Sequence, residues 1–370
     1  MSKATNEVKG LVFEIKTILT IGGRSSEGNK VTGKVACALP FNAPDGSRLI
    51  AIGGDEGVWV GHKEDPQSLT RLLKSKNVTQ IAIHEDIGVF YVLAEQSLVA
   101  YPIEAMLPSS TPNPLAQRLK RYINYFSIGI QEGKHLVVGA KSSSLSTTFV
   151  ALEAVVDTIK DARTGVATSP AVRSERSDWF KTHREFYMPV ESHGFTFLKS
   201  KCVILCEKAR SYEVVDLKEL DTQSIVPNED FQRAVSSSLR KHSRPIGMFK
   251  MKEQLLLCFT KFGLYADVEG IPVQQNPIVE WGVSAERVAA HGTHILLFGS
   301  KSIQVRELHN GQLVQDIQGK DIRCLWDGRI AGKVMVGEGD EGDTSTRSSA
   351  IGIMKDPEGK TQHVFEIVTS

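Results

Sequence analysis

The sequence predicts an all-β fold, a seven-bladed β-propeller built from four-stranded antiparallel blades. A hairpin pattern recurs seven times along the 370 residues. In each copy, a short apolar strand is followed by a polar or glycine-containing turn and then by a second strand with alternating apolar positions. A separate strand-like segment stands before each copy. Because one such sheet with two apolar faces is not stable alone, radial packing of seven sheets is the arrangement that buries both faces of each.

The repeating unit can be followed along the whole chain. The first apolar positions of the hairpins are 49, 89, 136, 203, 255, 295 and 350, so successive copies begin 40 to 67 residues apart, one blade per step plus insertions. The preceding strand-like segments are 35–39, 78–83, 123–128, 195–198, 246–249, 288–290 and 322–325. Outer fourth strands are predicted at 68–73 and 312–317.

Closure of the ring involves the N-terminal segment. Residues 11–21 read as a strand without a blade of its own, whereas the seventh hairpin lacks an outer strand. We therefore expect the N-terminal strand to complete the C-terminal blade within a single domain over 1–370, with 156–183 as a surface insertion between blades 3 and 4. Two separate β-sandwich domains are the alternative, which the 67-residue step permits. Helical periodicity is confined to 115–121 and 228–239.

Composition excludes several classes of protein. The chain has 44 Lys and Arg against 43 Asp and Glu, a net charge of +1, so nucleic acid is not expected as a partner. The longest apolar runs are about five residues, far below the ~20 that span a bilayer. Five scattered cysteines in apolar surroundings indicate reduced core thiols, and with no signal-peptide pattern they indicate a cytoplasmic protein.

No catalytic, cofactor-binding or metal site is predicted. The G-x-G-x-x-G string at 337–342 carries Glu338, Asp340 and Glu341, which would repel a pyrophosphate, and no apolar-periodic helix follows it. The P-loop-like string at 28–34 is followed by Val35 where a Ser or Thr would hold Mg²⁺.

Two basic clusters and one tryptophan remain as candidates for contact with an acidic partner or anionic lipid. A charge run is most often only a solvated face, and a tryptophan beside Phe180 is more often core than an interface anchor. The candidates are Arg118, Lys120 and Arg121 in the first cluster, Arg240, Lys241 and Arg244 in the second, and Trp179.

Six further stretches of the sequence are specific enough to compare with known families. They are DGSRLIAIGGDEGVWV at 45–60, SLVAYPIEAML at 97–107, AKSSSLSTTF at 140–149, REFYMPV at 184–190, YEVVDL at 212–217 and FGLY at 262–265. These stretches resemble the citron homology (CNH) domain, in particular the version at the C-terminus of fungal Rho guanine-nucleotide exchange factors of the Rom type. The resemblance covers roughly 30–370.

The resemblance implies a propeller that serves in protein interaction and regulation, in Rho GTPase signalling and cell-wall integrity, and not in catalysis. The partners it implies are a Rho-family GTPase, an upstream regulator, or the exchange domains of its own parent chain. Recruitment of the parent to the plasma membrane cortex, with peripheral membrane contact, is a further expectation. The alternatives are the propeller scaffold of a vesicle-tethering protein and a propeller hydrolase, which would need acidic, His or metal-ligand side chains converging on the central channel.

Overall fold

The structure is a computed structural model that describes residues 12–22, 31–108, 116–164, 178–198, 200–226, 229–251, 254–273, 276–329, 336–337 and 349–369. Within these ranges the strands form seven separate sheets, each with four antiparallel strands, and one sheet carries an additional short strand. The prediction of seven four-stranded blades is therefore confirmed.

Blades 1 to 4 follow each other along the chain. Blade 1 contains β2 (Val35–Asn42), β3 (Arg48–Gly54), β4 (Gly57–His62) and β5 (Thr70–Leu73). Blade 2 contains β6 (Val78–His84), β7 (Val89–Ala94), β8 (Ser97–Pro102) and β9 (Gln117–Arg121). Blade 3 contains β10 (Tyr125–Gln131), β11 (Lys134–Ser142), β12 (Thr147–Ala154) and β13 (Phe180–Met188). Blade 4 contains β14 (Ser192–Phe197), β15 (Cys202–Cys206), β16 (Ser211–Val215) and β17 (Thr222–Val226).

Blades 5 to 7 complete the ring. Blade 5 contains β18 (Pro245–Met251), β19 (Gln254–Phe259), β20 (Phe262–Ala266) and β21 (Ile278–Glu280). Blade 6 contains β22 (Arg287–His291), β23 (His294–Phe298), β24 (Ser302–Glu307) and β25 (Leu313–Gln318). Blade 7 contains β26 (Lys320–Trp326), β28 (Ile351–Lys355), β29 (Gln362–Thr369) and, as its outer strand, β1 (Phe13–Ile21). The first strands of neighbouring blades lie against one another, as β2 with β6 and β10 with β14 do, so they surround the axis of the ring.

The N-terminal strand completes the C-terminal blade, as predicted. Strand β1 pairs antiparallel with β29, with Phe13 opposite Thr369 and Ile21 opposite Gln362. The register shifts between Thr17 and Leu19. Because this pair joins the two ends of the described chain, it holds the ring closed through backbone hydrogen bonds.

The hydrophobic core consists of seven clusters, one at each junction between neighbouring blades in the described chain. At the junction of blades 1 and 2 the rings of Phe41 and Phe90 meet edge to face at 5.8 Å. At the junction of blades 7 and 1, Trp59 packs in one cluster with Ile351. Since this last cluster joins the end of the circle to its beginning, the alternative of two separate sandwiches is wrong.

Two tyrosine hydroxyls reinforce the blade junctions. Tyr212 of β16 donates to the Gly247 carbonyl of blade 5 at 2.9 Å, and Tyr265 of β20 donates to the Leu308 carbonyl of blade 6 at 2.8 Å. Both phenol rings are fully buried. Each hydroxyl therefore donates a hydrogen bond to a backbone carbonyl of the next blade and links the two blades through buried polar groups.

The segment 156–183 was expected between blades 3 and 4, but its described parts, 156–164 and 178–183, come before the outer strand of blade 3 is complete. It begins with α1 (Val156–Thr164), and its last four residues already belong to β13, the outer strand of that blade. The helix is not a surface loop, because Ile159 is 1% exposed in the core between blades 2 and 3. Arg163 bonds Glu104 of blade 2 at 2.7 Å. Between the third and fourth strands of blade 3, α1 thus packs against blade 2.

The two predicted helices had different outcomes. The segment 115–121 is wrong as a helix, since residues 117–121 form β9 and pair with β8. The segment 228–239 is helical in two short pieces, α2 (Glu229–Ala234) and α3 (Ser237–Lys241), which connect blades 4 and 5. The predicted cap residue, Asn228, lies outside the described residues.

The additional strand β27 (Val336–Gly337) comes from the connection between β26 and β28 of blade 7. It pairs parallel with β18, with Val336 opposite Lys250, and so adds to the inner edge of blade 5. Earlier in the same connection, Arg329 donates to the Thr196 hydroxyl of blade 4 at 3.0 Å. Blade 7 therefore sends a connection to the inner edges of two blades other than its direct neighbours.

Candidate functional site

The first basic cluster lies on β9, the outer strand of blade 2. Arg118 and Arg121 are exposed, whereas Lys120 is half-buried and pairs with Glu185 of blade 3 at 3.3 Å. Exposed ion pairs of this kind contribute little to stability. The cluster is a solvated basic edge, and among the described residues Lys120 is the one member of it with an ion-pair partner.

The second basic cluster lies on the connection between blades 4 and 5. Phe231 is buried at the base of α2, and Ser236 caps α3 by accepting from the Leu239 amide at 3.4 Å. These contacts place Arg240 at the end of α3, where its guanidinium donates to the Gln232 carbonyl at 2.9 Å. Lys241 is exposed and Arg244 is half-buried. The three basic residues are thus spread around one short helical connection, and of the three Arg240 lines a pocket between blades 4 and 5.

A pocket of about 210 Å³ opens between blades 4 and 5 and is hereafter called the blade 4/5 pocket. Three stacked phenyl rings line it, with ring centroids 5.7 Å apart for Phe231 and Phe259 and 4.6 Å apart for Phe259 and Phe262. The remaining lining residues are Lys208, Ala209 and Arg210 from the β15–β16 turn, Gln232 and Arg240 from the helical connection, and Ser243.

Positive charge at this pocket is only partly compensated. Lys208 pairs with Glu191 at 3.5 Å. Across the described chain, in contrast, neither Arg210 nor Arg240 forms an ion pair. Two guanidinium groups beside an apolar floor, with no acidic lining residue in the described ranges, attract carboxylates or phosphates.

The pocket also contains a buried hydroxyl. Ser243 is 4% exposed, and its Oγ has no hydrogen-bond partner among the described residues. A desolvated hydroxyl without a partner costs about 1–3 kcal/mol of stability. Ser243 is therefore a polar group whose hydrogen bonding an incoming ligand can satisfy.

Trp179 is not part of this surface. Its side chain is 6% exposed and packs in the core between blades 2 and 3, and its backbone amide donates to the Gln117 side chain at 2.8 Å. This position corresponds to the core alternative for that tryptophan. We do not include Trp179 in the candidate site.

Sequence reasoning missed Lys208, Arg210 and Ser243. Lys208 and Arg210 lie in one hairpin turn without a longer basic run, and they line the same pocket as Arg240 only because blades 4 and 5 are neighbours in the ring. The available signal was the repeat itself. Because the strand order is the same in every blade, the turn between the second and third strands of one blade lies on the same side of the ring as the connection to the next blade. Arg244, in contrast, lies near the pocket in sequence without lining it.

Two histidines of the kind that nucleophilic or metal chemistry would use pack against a phenyl ring instead. His291 and His294 both pack edge-on against Phe13, with centroids 5.4 and 5.0 Å away. In the ranges that the structure describes, no group of three or more His, Cys, Asp or Glu side chains could hold a metal ion, and no helix is long and apolar enough to cross a membrane. In the two glycine-rich strings at 28–34 and 337–342, residues 28–30 and 338–342 lie outside those ranges.

The five cysteines are expected to resist alkylation in the folded protein. Burial raises the pKa of Cys37, Cys206 and Cys324 to about 12 and raises the pKa of Cys202 and Cys258 further. At pH 8 a rise from 9 to about 12 reduces the thiolate fraction about a thousandfold, and the thiolate is the reactive species. Mass spectrometry after iodoacetamide treatment should show five modifications in urea and none in buffer over the same period. Rapid native labelling of any one cysteine would contradict this prediction.

A closed ring of seven four-stranded blades defines the class of this protein as a seven-bladed β-propeller, with a cationic pocket on one blade junction. The family model for the CNH domain matches residues 46–328, more than half of the chain. The chain belongs to the CNH domain family, as its resemblance implied.

Curated relatives carry the same segment within much longer proteins. Rho1 guanine nucleotide exchange factor 1 of Schizosaccharomyces pombe is 30% identical over 77% of this chain, and RHO1 GDP-GTP exchange protein 2 of Saccharomyces cerevisiae is 23% identical over 80%. The aligned region covers 21% and 22% of those two relatives. The chain thus spans about a fifth of their length, and it resembles the CNH domains of fungal Rho1 exchange factors.

Solved structures show the same fold. The AfRom2 CNH domain superposes with a TM-score of 0.72 at 23% identity, covering 95% of this chain and 98% of that one. The β-propeller domain of Cps50 (Swd1) from Myceliophteria thermophila gives a TM-score of 0.53 at 11% identity, covering 96% of this chain and all of that one. At these identities the likeness concerns the fold alone.

Proposed function

We propose that this chain is the non-catalytic protein-interaction and regulatory domain of a Rho guanine-nucleotide exchange factor, acting in Rho GTPase signalling and cell-wall integrity. One observation carries the proposal: relatives named as Rho1 exchange factors align over 77% and 80% of this chain while it spans only 21% and 25% of their length. Exchange activity therefore belongs to the remainder of such a parent, and this ring modulates it.

The mode of action is linkage through binding. A rigid ring that holds a protein partner changes the local concentration or the accessibility of an attached exchange unit, and no chemical step is needed. The partner is a Rho-family GTPase, an upstream regulator, or the parent's own exchange domains. The site of action is the cytoplasm, with recruitment to the plasma membrane cortex through the parent.

The two rival functions lack a supporting observation. A propeller hydrolase needs acidic, His or metal-ligand groups that converge on the channel. In the described part of the chain, no group of three or more His, Cys, Asp or Glu side chains is placed to hold a metal ion. The curated relatives named above are exchange factors, and nothing in those names points to vesicle tethering.

The test compares Rho activation in cells that carry the full parent protein with and without this segment. We expect deletion to change the amount of GTP-bound Rho, the cortical localisation of the parent, or both. Purified ring tested against GDP- and GTP-loaded Rho then identifies the partner, because nucleotide-sensitive binding indicates the GTPase itself. Unchanged Rho activation together with unchanged localisation would overturn the proposal.

A further inference from the structure

The size of the blade 4/5 pocket limits what it can hold. Pockets that bind cofactors or drug-sized ligands enclose about 300–1,000 Å³. A volume of about 210 Å³ is below that range and corresponds to one large apolar side chain. The pocket is therefore suited to a single anchor residue of a larger partner, and such anchors commonly dominate the energetics of protein interfaces.

The floor of the pocket favours an aromatic or aliphatic anchor. Phe259 and Phe262 stack at an interplanar angle of 14°, and Phe231 stacks on Phe259 at 26°. These three rings are at most 2% exposed, so an inserted ring would pack against an already formed stack and would bury mainly its own apolar surface. A phosphorylated lipid headgroup would use only the cations at the rim and would leave the space beside the phenyl rings unfilled, so a peptide is the better fit.

The rim determines the charge of the residues around the anchor. Arg210 projects from the β15–β16 turn of blade 4 and Arg240 from α3, so guanidinium groups from two different elements line one opening. Neither forms an ion pair among the described residues. Carboxylates on both sides of an anchor residue would each find a planar, two-pronged donor.

The unpartnered hydroxyl of Ser243 adds a third recognition element. It is 4% exposed, lines the pocket, and has no hydrogen-bond partner within the described chain. A peptide carbonyl beside the inserted anchor would accept its hydrogen bond. Such a bond recovers free energy that the unbound protein leaves unrealised.

We infer that the blade 4/5 pocket receives one aromatic or large aliphatic side chain of an acidic peptide segment on a partner protein, with flanking carboxylates on Arg210 and Arg240. This inference rests on the proposed interaction function and assigns it a site and a partner chemistry.

The test uses defined peptides and measures fluorescence anisotropy at low salt. The probe is a fluorescein-labelled Glu-Glu-Phe-Glu-Glu peptide, compared with Glu-Glu-Ala-Glu-Glu and Lys-Lys-Phe-Lys-Lys. We expect the first to bind with a Kd of about 10 μM to 1 mM, and the other two to bind at least tenfold more weakly. Equal binding of the alanine or lysine peptide, or no binding of any peptide at millimolar concentration, would overturn the inference.

Variants of the ring locate the binding event. Arg210→Glu should weaken binding at least tenfold, and Ala209→Trp should weaken it by filling the opening. Lys301→Glu is the matched control, since Lys301 is exposed in the turn between the second and third strands of blade 6 and should leave binding unchanged. Circular dichroism confirms that each variant is folded. If Lys301→Glu weakens binding as much as Arg210→Glu does, the attraction is non-specific and the inference fails.

Two further arms separate this inference from its rivals. Arg210-dependent binding to phosphatidylserine or phosphoinositide vesicles without peptide binding would assign the pocket to a membrane and overturn the peptide inference. Arg210→Glu in the full parent protein should reproduce the effect of deleting the whole segment on Rho activation. If the deletion has an effect and this variant has none, the proposed function stands and the blade 4/5 pocket is not its site.

Discussion

Removal of residues 1–21 should abolish the cooperative folding of this ring. The deletion takes away β1, in which Phe13 and Leu19 are each 2% exposed and Ile18 is 7% exposed. Truncating one buried Phe typically costs about 3–5 kcal/mol and one buried Leu or Ile about 2–5 kcal/mol. Their sum, with the lost β1–β29 hydrogen bonds, is comparable to the ~5–15 kcal/mol that stabilises a whole domain. Thermal unfolding followed by circular dichroism measures the loss.

Add-back of the missing strand tests whether closure is the cause. A synthetic peptide of residues 12–22 should restore the unfolding transition in a concentration-dependent way, because it can pair with the exposed edge of β29. The same peptide with Phe13→Asp and Leu19→Asp should fail, since both positions face the core. A truncated chain that unfolds at the temperature of the full chain would show that the ring does not depend on this strand.

Acidification should destabilise the protein through one buried histidine. His84 on β6 is fully buried, with its Nδ1 2.9 Å from the Tyr91 hydroxyl and its Nε2 3.3 Å from the Gly129 carbonyl of blade 3. Burial, with a smaller contribution from nearby His135 that Asp86 opposes, lowers the pKa of His84 from 6.5 to about 4. The neutral ring, which donates one hydrogen bond and accepts the other, is the form that fits this position.

The sign and size of the effect follow from that shift. Between pH 6.5 and 4 the unfolded chain binds a proton at His84 and the folded chain does not, so the free energy of unfolding falls as the pH falls. The contribution reaches about 3 kcal/mol and is complete near pH 4. Urea unfolding at a series of pH values, for the natural chain and for His84→Gln, measures it. If the two stability curves run parallel from pH 7 to pH 4, the histidine is not responsible.

The inner parts of the fold were predictable from sequence, and so were the outer strands β5, β25 and β1, whereas the outer strands β9 and β13 were not. Strands such as β19, with Leu255 to Phe259 all buried, carry continuous apolar runs because both faces of the blade are covered. The outer strand β9 has the sequence Gln-Arg-Leu-Lys-Arg, whose residues are good helix formers, and only its pairing with β8 makes it a strand. The first four residues of the outer strand β13 fall within the segment 156–183 that the sequence predicts as an insertion, and α1 separates this strand from its partner β12.

The candidate site shows the same limit. Arg240 stood out in sequence because it lies in a run of basic residues, but Arg210 and Ser243 carry no local signal. Their contribution comes from the junction of two blades, which brings together residues about 30 positions apart. Phe259 and Phe262 read only as strand residues, and their place in the lining of a pocket depends on where Phe231 places the helical connection.

The antiparallel pairing of β1 with β29 also determines how the ring responds to a pulling force. Phe13 lies opposite Thr369, so tension applied between these two residues acts at one end of the ladder and perpendicular to the strands. The backbone bonds would then break one after another, like a zipper, and not all together in shear. A pulling force applied at these two residues would separate β1 from β29 in blade 7 first, and the other six blades would initially remain intact.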